Sequence, residues 1–125
     1  MKTRAASTVE SLIERKRRKV ERAEEAHAAA HAKTRAAERA RIDADRRWLA
    51  ALDAAEDIGA VMDLDDRALH VRALRRAVDV AEQHYAVARM HESALRQVMT
   101  DARVELRRFE AWVARKEPYA VEKSA

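Results

Sequence analysis

Apolar residues recur at alternating steps of four and three along almost the whole chain, in two consecutive runs. The first run begins at Val9 and ends at Met62, and the second begins at Leu64 and ends at Lys116. Apolar side chains fill 12 of 16 positions in the first run and 13 of 16 in the second. This spacing keeps one stripe of a helix against a neighbouring helix in a left-handed supercoil. Two stripes of equal length predict an all-α chain that forms a single long antiparallel two-helix coiled-coil hairpin.

The composition agrees with long helices and argues against a globular core. The 125 residues include one Gly and one Pro, aromatic residues make up 4% of the chain, and charged residues make up 38%. Such a composition with a period near 3.5 is typical of coiled coils, and too few large apolar groups remain for a compact interior. No segment alternates apolar and polar residues in β-branched runs, so we expect no strands.

The segment around Gly59 is the one credible break between the two runs. Gly59 can end a helix, and Asp63 or Asp65 can cap the next one by accepting a backbone N–H bond. Pro118 disfavours a helical residue before it, so the second helix should end nearby. We therefore predict one domain over residues 1–125, with helices over about 7–59 and 65–116, a turn over about 59–65 and a frayed tail over 117–125.

Antiparallel packing predicts which residues face each other across the stripe. Ile13 should lie near Val113, Val20 near Leu106 and Trp48 near Val78. Flanking charges support this register through four opposite-charge pairs, and only Asp45 opposite Glu82 disagrees; the pairs are Arg17–Glu110, Glu24–Arg103, Glu38–Arg89 and Lys19–Glu105. A parallel dimer of the first helix remains an alternative, because it would also pair Lys19 with Glu24 and Lys33 with Glu38.

The two stripes are expected to pack against each other in one interface, the seam, which is rich in alanine. Polar residues at three stripe positions are expected to weaken it further. These residues are Thr34, Arg41 and Glu92. Burying alanine contributes much less free energy than burying leucine, because less apolar area leaves water. Arg41 should lie near Tyr85, and we expect its guanidinium to extend into water rather than rest on the ring.

The residue pattern favours a non-enzymatic protein. His27 and His31 have the i, i+4 spacing that can chelate a metal, but no third ligand is expected to converge on them. The chain has neither a glycine-rich phosphate loop nor a catalytic serine arrangement, and it has no cysteine. We therefore expect no catalytic residues, no cofactor and no metal site. The N-terminus lacks the apolar core of a signal peptide, and no stretch could span a bilayer, so we expect a cytoplasmic protein without membrane insertion.

Charge is distributed unevenly between the two predicted ends of the hairpin. The open end, residues 1–22 and 103–125, carries 14 basic and 7 acidic side chains, whereas the turn end, residues 43–79, carries 6 basic and 9 acidic ones. The residues predicted to dock a partner are Arg15, Lys16, Arg17, Arg18, Lys19, Arg107 and Arg108. Three interpretations compete: a solvated basic surface, phosphate contacts with nucleic acid, and docking on an acidic surface of a protein assembly, which we favour. Five consecutive basic residues point all round a helix, which argues against nucleic acid.

A second surface of the predicted hairpin is more apolar than its charged opposite side. Its apolar residues lie beside the stripe rather than within it, and they are Val80, Val87, Val98 and Trp112. Scattered apolar residues are normal on a protein surface, so we treat this patch as a second candidate contact site.

The stretch from Leu12 to Glu24 resembles the opening of the type III secretion stalk proteins, the YscO/SctO group and their flagellar relative FliJ. The resemblance consists of a pair of apolar residues, then spaced arginines, then Glu21-Arg22-Ala23-Glu24 leading into an alanine-rich helix. Chain size, scarcity of Gly and Pro, and a two-helix hairpin extend the resemblance over nearly the full length. The chain differs from the flagellar proteins in having more alanine and fewer aromatic residues.

The resemblance implies a stalk set into the central pore of a hexameric secretion ATPase, with a bridge to the export gate protein. It also implies contact with export chaperones and a location in the cytoplasm at a membrane secretion apparatus. The basic open end would then enter the ATPase ring, and the ATPase rather than this chain would bind the nucleotide. The alternatives are a basic coiled coil that binds nucleic acid and a generic dimerising scaffold.

Overall fold

The chain folds into two helices that pack against each other. The computed structural model describes the backbone of residues 4–57 and 64–124 and the side chains of residues 8–54 and 65–116. Helix α1 spans Arg4–Asp57 and helix α2 spans Leu64–Ser124. No strand occurs in these described ranges. The prediction of an all-α helical hairpin is therefore confirmed.

The helices form two compact units, and each unit contains a part of both helices. The terminal unit consists of Met1–Ala29 and Ser93–Ala125, and the central unit consists of Ala30–Glu92. In the terminal unit, Lys19 contacts Glu105 and Glu24 contacts Arg103. In the central unit, Thr34 contacts Ala88 and Arg41 contacts Tyr85. In each unit the partner number on α2 falls as the number on α1 rises, so the pairing is antiparallel.

Burial in both helices follows the spacing of the apolar stripes. In α2, every side chain between residues 65 and 116 that is buried or half-buried belongs to the second stripe, and only the last stripe position, Lys116, is exposed. In α1, every stripe position from Val9 to Ala51 is buried or half-buried. Three α1 residues outside the stripe, Ala26, Glu38 and Leu52, are half-buried as well. The 3-4 periodicity thus identifies the covered face of each helix, as a two-helix seam requires.

The terminal unit has a small apolar core made mainly of short side chains. Val20, Ala23 and Ala102 are buried together, and Met99 and Leu106 pack against them. This cluster confirms the predicted proximity of Val20 and Leu106. Alanine allows the two backbones to approach closely, but each buried alanine removes little apolar area from water. The unit consequently depends on its flanking polar contacts more than a leucine-rich coiled coil would.

The central unit buries two polar side chains in the seam, Thr34 and Glu92, and each of them has a hydrogen-bonding partner. The Thr34 hydroxyl lies 3.0 Å from the carbonyl oxygen of Ala30 and 3.2 Å from that of Ala88 on the other helix. Glu92 is buried, and its Oε1 lies 2.6 Å from Nδ1 of His31. A buried polar group costs less free energy when it is hydrogen-bonded. These cross-helix contacts therefore reduce the cost of burying Thr34 and Glu92, and they favour one register over its neighbours.

Two arginines lie over aromatic rings in the central unit. The Arg41 guanidinium lies 4.6 Å from the Tyr85 ring centroid, and the Arg75 guanidinium lies 4.8 Å from the Trp48 ring centroid. The expectation that Arg41 extends into water was wrong. Its stripe position directs the side chain towards α2, where the negative face of the phenol ring attracts the cation. The Arg89 guanidinium also lies beside Tyr85, at 5.7 Å from its ring centroid.

The helix ends differ from the predicted boundaries. Helix α2 continues through Pro118 to Ser124, beyond the predicted helix end near residue 116. Asp65 is the second residue of α2 and therefore does not occupy the capping position. Gly59 and Asp63 lie outside the described residues.

Candidate partner-binding end

The basic residues predicted to dock a partner belong to the terminal unit, and two of them pair with the other helix within it. The Lys16 ammonium lies 2.7 Å from Oε1 of Glu105, and the Lys19 ammonium lies 3.0 Å from Oε2 of the same carboxylate. The sequence predicted the Lys19 pair but not the Lys16 pair. Lys16 occupies a stripe position and is half-buried, so its side chain extends across α2 towards Glu105. One carboxylate thus holds two ammonium groups of α1.

Aromatic rings on α2 lie beside two lysines of the terminal unit, Lys16 and Lys116. The Lys16 ammonium is 5.3 Å from the Phe109 ring centroid, a distance at which the ring face attracts a cation. Phe109 stacks on Trp112 with ring centroids 5.7 Å apart. The Lys116 ammonium is 5.7 Å from the centroid of the Trp112 ring. Lys16 therefore packs against α2 in the terminal unit. Its place in a run of five consecutive basic residues did not indicate this role.

The remaining predicted docking residues are exposed to solvent. Arg18 pairs with Glu14 on its own helix, with 3.5 Å between Nε and Oε1. Arg15, Arg17, Arg107 and Arg108 are exposed, and none of them forms an ion pair with a side chain that the structure describes. Arg17 therefore does not make its predicted pair with Glu110, whereas Glu24 and Arg103 do pair, at 3.2 Å. We refer to Arg15, Arg17, Arg107 and Arg108 as the free arginine set.

The chemistry of this end suits recognition of an acidic surface. A guanidinium presents several N–H donors in a fixed plane and binds carboxylate or phosphate oxygens through two parallel bonds. Four such groups in one unit attract an acidic partner over a range of roughly 10 Å at 0.1 M salt. The shared Glu105 pair holds α1 against α2 in the same unit. The paired lysines therefore maintain the surface, while the free arginine set is available to a partner.

The Glu105 carboxylate should make the terminal unit sensitive to acid. The hydrogen bonds and charges of Lys16 and Lys19 lower the pKa of Glu105 from 4.5 to about 2. A carboxyl whose folded-state pKa is lowered stabilises the fold fully above its unfolded pKa and loses that contribution as the pH falls through the folded pKa. We therefore expect Glu105→Gln to lower the melting temperature by a few degrees at pH 7 and by much less at pH 2. The difference in melting temperature between the unmodified chain and Glu105→Gln should disappear as the pH falls from 4.5 to about 2.

The control for this prediction is Glu110→Gln, which removes an exposed carboxylate of α2 that has no ion pair among the described side chains. Its melting temperature should follow that of the unmodified chain at both pH values. Because Glu105 is accessible to solvent, 0.5 M salt should reduce the Glu105→Gln effect. Equal effects of the two substitutions at pH 7 would contradict a specific role for Glu105.

The second candidate contact site is exposed in both units. Val80 and Val87 of the central unit have 48% and 65% of their surface accessible. Val98 and Trp112 of the terminal unit have 51% and 47% accessible. Their positions beside the stripe therefore leave them on the surface and accessible to a partner.

The histidines do not form a metal site among the described residues. His31 contacts Glu92, an arrangement that the sequence did not suggest because Glu92 was interpreted only as a polar interruption of the stripe. Within the described parts of the chain, no group of three or more His, Asp or Glu side chains is arranged to hold a metal ion. Neither helix has a described stretch that is long and apolar enough to cross a membrane.

Comparison with known proteins identifies no relative. No protein-family description, curated protein or solved structure matches this chain.

Proposed function

We propose that this chain is a non-enzymatic stalk or adaptor of a type III secretion or flagellar export ATPase. The terminal unit docks in the central pore of the ATPase ring through the free arginine set, and the central unit is available to the export gate protein or to export chaperones. The chain acts in the cytoplasm, at the membrane-associated secretion apparatus. The resemblance of Leu12 to Glu24 to the stalk proteins supports this assignment, together with the antiparallel pairing of the two helices.

The observation that carries the proposal is that two of the predicted docking residues are paired across the helices, whereas four others are exposed without an ion pair in the described parts of the chain. Lys16 and Lys19 hold Glu105 and maintain the helix pair. The free arginine set has no ion-pair partner among the described side chains and is exposed. Exposed cations within one unit of a helical pair suit docking on acidic groups that line a ring. Hydrolysis would occur at the nucleotide sites of the ATPase, and this chain would change the rate through contact alone.

The test uses the full chain and the purified secretion ATPase encoded in the same genome. We expect binding at about 50 mM salt that weakens as salt screens the arginines, with a rise in the rate of ATP hydrolysis. A duplex DNA of similar charge serves as the comparison. Absence of ATPase binding at low salt would remove the proposal. DNA binding that is tighter than ATPase binding and falls linearly with the logarithm of salt would instead support the nucleic-acid alternative.

A further inference from the structure

Helix α2 carries a second 3-4 stripe in the central unit, and this stripe is exposed along its whole length. Its positions are separated by alternating steps of three and four, and they are His70, Ala73, Ala77, Val80, His84, Val87 and His91. None of the seven carries a formal charge at pH 7 with His neutral, although charged residues make up 38% of the chain. The α1-facing stripe of the same helix is covered. Helix α2 therefore has an uncharged exposed stripe beside the stripe that α1 covers, and this leaves surface for a second helical neighbour.

Two shallow hollows lie between α1 and α2 along this stripe. The first has a volume of about 300 Å³ and is lined by Ala30, Lys33, His84, Val87, Ala88 and His91. The second has a volume of about 240 Å³ and is lined by Ala40, Asp43, Ala44, Arg47, Leu74 and Ala77. Alanine forms much of the floor of both hollows, so the side chains of a third helix have room to enter. From Leu74 to His91, the α2 side of the hollows is about 26 Å long, or nearly five helical turns.

The charges around the hollows indicate what kind of helix fits. On the α1 side, Lys33 lines the first hollow, and Arg47 lines the second together with one acidic residue, Asp43. The seven stripe positions on the α2 side include no acidic residue. A second copy of this chain placed on the same surface would bring this net basic α1 side against another net basic side or against the histidines. A helix with carboxylates along one edge pairs with both Lys33 and Arg47, whereas a second copy supplies one carboxylate from this side.

We propose that this flank of the central unit binds an amphipathic helix of a partner protein, with the apolar face in the two hollows and acidic residues along the edge that meets Lys33 and Arg47. Helix-in-groove recognition uses apolar anchors at steps of three and four, which matches the stripe of α2. The site is separate from the free arginine set and does not rest on docking to an ATPase. A chain that fails to bind an ATPase ring would still show this binding.

The test selects binders for the full chain from a displayed library of amphipathic helices about 21 residues long. The apolar face is constant, and the edge positions are randomised among acidic, basic and neutral residues. We expect selected helices to carry acidic residues along one edge. Val87→Asp, which places a carboxylate at a residue with 65% of its surface accessible, should weaken their binding about tenfold or more. Lys33→Glu combined with Arg47→Glu should reverse the edge preference from acidic to basic.

The matched control is Met90→Asp, which makes the same kind of change on α2 at an apolar residue that is 74% accessible and lines neither hollow. It should change binding less than twofold, and circular dichroism should show equal helicity in all variants. Failure to enrich acidic-edged helices, or equal loss of binding in Val87→Asp and Met90→Asp, would overturn the proposal. A dimer of the chain that Val87→Asp dissociates in sedimentation would also overturn it, because a second copy would then occupy the flank.

Discussion

Replacing the four residues of the free arginine set with glutamate should weaken binding to the ATPase ring about a hundredfold or more. The variant Arg15→Glu, Arg17→Glu, Arg107→Glu and Arg108→Glu changes the charge of the terminal unit by eight units at exposed positions. Opposite charges that guide docking become like charges, which slows association and destabilises the complex. Helicity should not change, because none of the four side chains contacts the other helix through an ion pair among the described residues. Titration of a labelled chain against the ring measures the effect.

The design leaves Lys16 and Lys19 unchanged because they hold Glu105. Reversing them would place carboxylates beside Glu105 and open the terminal unit, so lost binding would have two explanations. The matched control makes the same number of Arg→Glu changes in the central unit, at four exposed residues with no ion pair among the described side chains: Arg35, Arg39, Arg72 and Arg76. Equal loss of binding in both variants would indicate that only net charge matters, and the proposed docking end would be wrong.

Replacing Val78 with aspartate should unfold much of the central unit. Val78 is 1% accessible and is the largest fully buried side chain among the described residues. A carboxylate there would lose its water without gaining a partner, a change that costs about 3–5 kcal/mol. Domains of this size have only about 5–15 kcal/mol of stability. The alanine-rich seam leaves little reserve, so the melting temperature should fall by roughly 10 °C or more.

The control for Val78→Asp lies two residues away on the same helix. Val80→Asp makes the identical change at a residue that is 48% accessible, and it should alter the free energy of unfolding by about 0.5 kcal/mol or less. Thermal unfolding followed by circular dichroism compares the two variants. If both substitutions lower the melting temperature equally, the seam does not run along the face that contains Val78.

The face and direction of packing follow from the sequence because the coiled-coil period is a strong constraint. Val20, Ala102 and Val78 are buried where the 3-4 spacing places them. The charge pairs of Lys19 with Glu105 and Glu24 with Arg103 were predicted from antiparallel register alone. These features depend on position along a helix, which the sequence specifies. The spacing does not specify the direction in which a long side chain extends or the residue that it contacts.

The contacts that the sequence did not predict involve long or polar side chains at stripe positions. Lys16 reaches Glu105, and Arg41 lies over Tyr85, because each has a flexible stem that can place its charge beside a partner on α2. His31 approaches Glu92 from beside the stripe rather than from within it. Heptad position alone assigns these residues to the seam or the surface, whereas rotamers and local charge decide their contacts. The candidate docking site was therefore predicted as a set of seven residues, and the structure separates it into supporting and exposed members.

The proposed docking through the free arginine set and the expected effect of Val78→Asp both depend on antiparallel pairing of α1 with α2 within one molecule. The chain contains no cysteine, so Glu24→Cys combined with Arg103→Cys gives two unique sites for spin labels. Nη2 of Arg103 lies 3.2 Å from Oε1 of Glu24 in the terminal unit. Replacing one exposed ion pair lowers the free energy of unfolding by about 0–1 kcal/mol. Pulsed electron paramagnetic resonance on labelled chain diluted with unlabelled chain should give a distance between the two spin labels below about 25 Å, as expected for neighbouring helices. A distance above about 60 Å, or a short distance that disappears on dilution, would contradict the intramolecular pair.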